Sequence, residues 1–120
     1  MSAVLMRCEA VNLLGAIGDS RSVPALIKAL QDKEWGVRYE SIEALGKIGD
    51  TDAIEPIKLC VIKAKPEEER VRGQGIIVLD EVFNISSSKL REVFLKSNAS
   101  EFTSIKLWQE IIKLYRILII

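Results

Sequence analysis

Apolar side chains return along this chain with the period of an α-helix. From Val37 the next members of one column are Ile42, Leu45 and Ile48, steps of five, eight and eleven residues. At 100° per residue those steps fall at about 140°, 80° and 20°, all on one side of a helix. The column belongs to a longer pattern. Met6-Arg7-Cys8-Glu9-Ala10-Val11-Asn12-Leu13-Leu14, Val37-Arg38-Tyr39-Glu40-Ser41-Ile42-Glu43-Ala44-Leu45 and Val71-Arg72-Gly73-Gln74-Gly75-Ile76-Ile77-Val78-Leu79 superimpose at offsets of 31 and 34 residues. An internal period of this length marks an architecture in which each unit buries its apolar face against the next. The first two segments continue alike, as Leu-Gly-x-Ile-Gly-Asp over 14–19 and 45–50. Gly18 and Gly49 stand just past the last periodic residue, where a left-handed C-cap takes glycine. Asp19 and Asp50 follow, placed to cap N–H groups of the turn or of the next helix.

A second, shorter helix is predicted in each unit. Val23, Leu26 and Leu30 match Ile54, Ile57 and Val61 at the same offset of 31, and Pro24 and Pro56 fall in its first turn, where a missing N–H does little harm. The third unit is degenerate, with Phe83-Asn84 in place of Gly-Asp. The pattern predicts helices over roughly 2–17, 22–31, 34–48, 53–64, 67–83, 88–97 and 101–120. Short connections make neighbours antiparallel. The expected fold is all-α: a superhelical stack of about three hairpins (2–33, 34–66, 67–99) and a C-terminal helix (100–120), in one domain. Its expected core is Val11, Leu14, Ile17, Val23, Leu26, Leu30, Ile42, Leu45, Ile48, Ile54, Ile57, Val61, Ile76 and Leu79.

Composition narrows the chemistry. Seventeen basic residues balance seventeen acidic ones in 120 residues, a balance that argues against nucleic acid or an anionic membrane as partner. No uncharged run of about 18 residues is present, so no membrane span is expected. Histidine is absent, which removes imidazole bases and histidine metal ligands from this sequence. Cys8 and Cys60 form no C-x-x-C pair and read as reduced, small buried thiols of a cytoplasmic protein. There is no G-x-G-x-x-G, no P-loop and no Ser/His/Asp set, so no catalytic, metal or cofactor residue is expected.

The quoted segments, with Val23-Pro24-Ala25-Leu26-Ile27 and the loop Asp32-Lys33-Glu34-Trp35 before Val37-Arg38, resemble the HEAT-like repeat of phycobilisome lyase subunits over roughly residues 3–82. The resemblance implies an α-solenoid. It is weak for function, since similar repeats serve bilin attachment, scaffolding and several enzymes. Among those enzymes the deoxyhypusine hydroxylases hold two irons with His–Glu pairs. This sequence contains no such pair.

Several residues invite a specific role. Arg7, Arg38 and Arg72 form one column, read either as structural partners of Asp19 and Asp50 or of the neighbouring Glu9, Glu40 and Gln74, or as a ladder for an anionic partner. The tiny column Ala10, Ser41 and Gly75 implies close approach of a neighbouring backbone. Trp35 stands at a repeat junction, as a staple across it or as an aromatic anchor for a partner. Lys28, Lys58, Leu59, Lys63, Arg91 and Lys96 occupy exposed positions of the second helices, the customary binding row of a solenoid. From Phe102 to Ile120 twelve of nineteen residues are apolar, a wider face than one neighbour covers. Self-association through Trp108, Ile112 and Tyr115 is the first expectation there, another protein the second, and packing on the third hairpin the structural alternative. The functional expectation is a non-catalytic protein-interaction scaffold, with another protein as partner. The alternative is an accessory subunit of a bilin lyase or other modifying enzyme whose active site lies on another chain.

Overall fold

A computed structural model describes residues 2–96. Six α-helices run in order: α1 (Ala3–Ile17), α2 (Val23–Ala29), α3 (Trp35–Ile48), α4 (Ile54–Lys63), α5 (Glu69–Glu81) and α6 (Ser87–Lys96). Among the described residues there is no strand. The predicted bounds of all six described helices hold to within two residues. The predicted helix over 101–120, with Trp108, Ile112 and Tyr115, lies outside the described residues.

The turns form as the sequence dictates. Gly18 and Gly49 take φ of 74° and 76° and return their N–H groups to Leu14 and Leu45. Asp19 and Asp50 accept from Arg21 N–H and Asp52 N–H, each opening a short 3-10 turn before the next helix. In the degenerate third unit Asn84, at φ 53°, takes the left-handed position, which asparagine tolerates best after glycine.

Stacking follows from the repeat. α1 packs on α3 and α3 on α5, giving one layer of first helices, while α2 packs on α3 and α4 on α5 and α6. This is an α-solenoid. The core is one cluster that includes Val11, Val23, Leu26, Leu30, Ile42, Leu45, Ile57, Val61, Ile76 and Leu79 from the predicted columns, with Leu90 and Val93 of α6. Leu14, Ile48 and Ile54 are only partly buried against it. Ile17 is a correction: it is 71% exposed, because it ends α1 on the side away from α3.

Small residues set the spacing of the first helices. A Cβ at Gly15 would lie 2.7 Å from the Ala44 Cβ, and one at Gly46 would lie 3.1 Å from Val78 Cγ1. The first glycine of Leu-Gly-x-Ile-Gly therefore admits the next hairpin, a role the sequence reading missed. The tiny column behaves as expected at Ser41 and Gly75, both buried, but Ala10 is exposed.

Candidate functional site

α2, α4 and the loops after them enclose a groove of about 580 Å³. Ile27, Leu30, Pro56, Leu59, Cys60 and Ala64 supply its apolar surface, while Gln31, Asp32, Arg38, Glu68, Lys63 and Lys65 supply its polar one. Leu59 is 52% exposed there, an apolar side chain with water on one side. Cys60 is buried and donates weakly to the Leu30 carbonyl at 3.7 Å. Burial pushes its thiol up to about 11. Cys8 is half-buried rather than buried, and both cysteines are free.

Arg38 lines the groove's polar wall, and Arg7 and Arg72 hold that wall from behind through Asp32 and Lys65. Arg7 donates from Nε and Nη2 to the Asp32 carboxylate at 2.8 and 3.2 Å, and the Glu34 N–H donates to it at 2.9 Å. The Arg7 hydrogen bond holds the Asp32 carboxyl below the usual carboxylate range. Arg38 donates to the Asp32 carbonyl at 2.7 Å and, through Nη2, to Glu68. Glu68 also accepts from the Lys65 N–H at 2.8 Å. Arg72, fully buried, donates to the Lys65 and Pro66 carbonyls at 2.5 and 2.7 Å. Its Nε is buried with no hydrogen-bond acceptor, and burial pulls its guanidinium below the ordinary arginine range.

The arginines are thus structural, but not through the expected partners. Asp19 is held by Arg21, and the Asp50 carboxylate caps its own turn. The reason is axial distance. Arg7 and Arg38 leave the first turns of their helices toward the N-terminal end, and the glycine turns with Asp19 and Asp50 lie about 18 Å further along the axis. The loop entering the helix is within reach. Asp32 and Glu68 were the missed residues; their position just ahead of Trp35 and Glu69 at the helix starts was the available signal.

The predicted surface residues scatter more than the row implied. Leu59 and Lys63 line the groove. Lys58 is half-buried and pairs with Glu55 at 3.1 Å, and Lys96 pairs with Glu92 at 2.8 Å. Lys28 and Arg91 are exposed away from the groove. Trp35 opens α3, 43% exposed, with the Arg70 guanidinium 5.9 Å from its ring centroid. It therefore bridges the second hairpin to α5. Glu67, Glu68 and Glu69 do not form a carboxylate site: Glu68 is spent on Arg38, and Glu69 lies 3.7 Å from Arg72. Among the described residues no three His, Cys, Asp or Glu side chains gather as a metal-holding group, and no helix is long and apolar enough to cross a membrane.

The repeat, its glycine turns and its stacked helices agree with a known pattern: that of HEAT repeats matches residues 3–80. The chain belongs to the HEAT-repeat family. Its curated relatives include the deoxyhypusine hydroxylase of Homo sapiens, 41% identical over 58 residues, covering 47% of this chain and 19% of the relative. That of Neurospora crassa is 36% identical over 80 residues, 65% of this chain and 24% of the relative. That of Aspergillus clavatus is 32% identical over 105 residues, 86% and 30%. This HEAT-repeat chain spans from about a fifth to under a third of their length.

These relatives overturn the functional expectations. They bear the name of an enzyme, so the non-catalytic scaffold does not stand, nor does the accessory subunit of a bilin lyase or other modifying enzyme with its active site on another chain; the expectation of a protein without enzymatic function falls with them. The absence of histidine left this branch without a mark in the sequence. A histidine-held metal centre does not fit the side chains this chain supplies: it has no histidine, and the groove's Asp32 and Glu68 are engaged by arginines.

Proposed function

We propose that this chain is a HEAT-repeat part of an enzyme of the deoxyhypusine hydroxylase type, and that its groove holds a segment of the protein on which the enzyme acts. The observation behind the reading is the similarity to hydroxylases at 32–41% identity, extending in one case over 86% of this chain. The activity proposed is the one in their name, hydroxylation of deoxyhypusine. The chain's own contribution is positional. Leu59 and Ile27 offer apolar contact to an extended segment, Gln31 offers an amide, and Lys63 and Lys65 stand at the groove as cations. The arginine–carboxylate pairs fix the wall, so little ordering cost falls on binding. A cytoplasmic setting is part of the proposal, supported by the two free thiols.

Calorimetric titration of the purified chain with a deoxyhypusine-bearing protein, and with its unmodified form, tests the reading. Saturable binding of the modified form, weakened at least severalfold by Leu59→Glu, is expected. No binding of either form, or binding indifferent to Leu59→Glu, overturns it.

A further inference from the structure

One column of the first helices faces the preceding hairpin. On α3 it is Val37, Ser41, Ala44 and Ile48, and on α5 it is Val71, Gly75, Val78 and Val82, matched by the repeat offsets of 31 and 34. Ala44 lies against Gly15, Val78 against Gly46, and Gly75 against Val61 and Ile57. Val37, Ser41 and Val71 are buried as well. The same column on α1 is Met6, Ala10, Leu13 and Ile17. Here it is exposed, at 59% for Met6, 63% for Leu13 and 71% for Ile17. Steps of four, three and four residues keep these side chains within an arc of about 60°, a single apolar stripe. None of the four carries charge.

The order of sizes along the stripe decides what covers it. Ala10 and Leu13 are equidistant from the point between Val11 and Asn12, and so are Met6 and Ile17. An antiparallel copy of the same helix therefore sets small against large at the centre and large against large at the ends. The centre repeats the device by which Gly15 admits Ala44. Isologous contacts of this kind need such self-complementarity. We propose that α1 pairs with α1 of a second copy of this chain about a two-fold axis beside Val11 and Asn12, with Ala10 receiving Leu13 of that copy. Glu9 borders the stripe, and its counterpart in the second copy is displaced about 7.5 Å along the axis, so like charges do not meet head-on. One helix face is small against a standard interface of about 800 Å² per partner, so the dimer is weak and concentration-dependent.

Light scattering and sedimentation of the full chain at about 100 μM, a concentration suited to a small interface, test the proposal. The wild type should be dimeric, and Leu13→Glu should be monomeric with unchanged helicity and, at dilutions where both are monomers, unchanged melting temperature, since Leu13 is exposed in the monomer. In a background with Cys8→Ser and Cys60→Ala, a mixture of Ala10→Cys and Leu13→Cys chains should cross-link under mild oxidation faster than either chain alone. A monomer at that concentration overturns the pairing, including one that instead takes up an added HEAT-repeat hairpin through Leu13. A dimer that survives Leu13→Glu also overturns it, by placing the contact elsewhere. So does cross-linking no faster in the mixture than in the separate chains.

Discussion

Gly75 faces Val61 so closely that a Cβ at position 75 would lie 2.1 Å from Val61 Cγ2, with Ile57 Cγ2 at 3.6 Å. Valine is stiff at χ1 and cannot swing clear. Gly75→Ala is therefore expected to destabilise by about 1–3 kcal/mol despite alanine's better helix propensity. Gly36, inside α3 with open space around its would-be Cβ, gives the opposite sign: Gly36→Ala should add about 0.5–1 kcal/mol. Urea unfolding of the two variants reads both signs.

Leu45 has no exposed surface. Its truncation to alanine should cost about 2–5 kcal/mol. Ile17, although it continues the same apolar period, is exposed, and Ile17→Ala should stay within about 0.5 kcal/mol of wild type at concentrations where the chain is monomeric. Thermal melts of the pair check the contrast.

Arg38 reaches a carbonyl and a carboxylate at once, in a nearly buried setting. Arg38→Lys keeps the charge but loses the fork, and a loss of about 1–3 kcal/mol is expected. Binding per folded molecule should weaken only modestly, since the guanidinium is already occupied and acts on the groove only through the wall it fixes. Melting temperature and titration on the same samples separate the two effects.

Acid should weaken the first repeat junction. The Asp32 carboxyl is held below its ordinary value near 3.8 by Arg7, so the folded state favours the ionised form. That stabilisation is complete above about pH 4 and fades as the pH falls through the lowered folded value. Asp32→Asn should remove this part of the acid sensitivity, at a cost near neutrality of about 1–2 kcal/mol. Urea unfolding repeated from pH 7 downward measures it.

Cys60 should be slow toward alkylating reagents while the protein is folded. With its thiol pushed up to about 11 from 9.0, the thiolate fraction at pH 8 falls on the order of 100-fold. Because the folded value is raised, stability should drop as the pH climbs from about 9 to about 11, where only the unfolded chain sheds the proton. Mass-resolved labelling, with and without urea, tests the first statement; alkaline unfolding curves test the second.

The framework was legible because its determinants are local and repeated. Gly18 and Gly49 announce their turns, the apolar columns set the faces, and an offset of 31 ties one hairpin to the next. Ile17 shows where periodicity stops short: a column says which way a side chain points, not whether another helix stands there. Asp32 and Glu68 were harder to find, since the partner of an arginine is set by where the incoming loop passes its helix. The groove depends on the relative tilt of α2 and α4, a long-range property that no single column records. The enzyme relationship was hidden for a different reason: a chain without histidine carries no metal-ligand pair to point to it.

Arg7, Asp32, Arg38 and Glu68 form an unbroken line of hydrogen bonds from α1, through the loop before α3, to the loop before α5. Asp32 joins two of these links, its carboxylate bound to one arginine and its carbonyl to the next. The line acts as a tie-rod along the edge of the solenoid. Such arrays otherwise flex like springs, each hairpin tilting a little on its neighbour. Here a change of tilt at either junction would stretch a charge-assisted bond, so the first two junctions are stiff in the same direction. The curvature of the array at the groove is thereby a fixed dimension, gauged by the reach of two guanidinium groups.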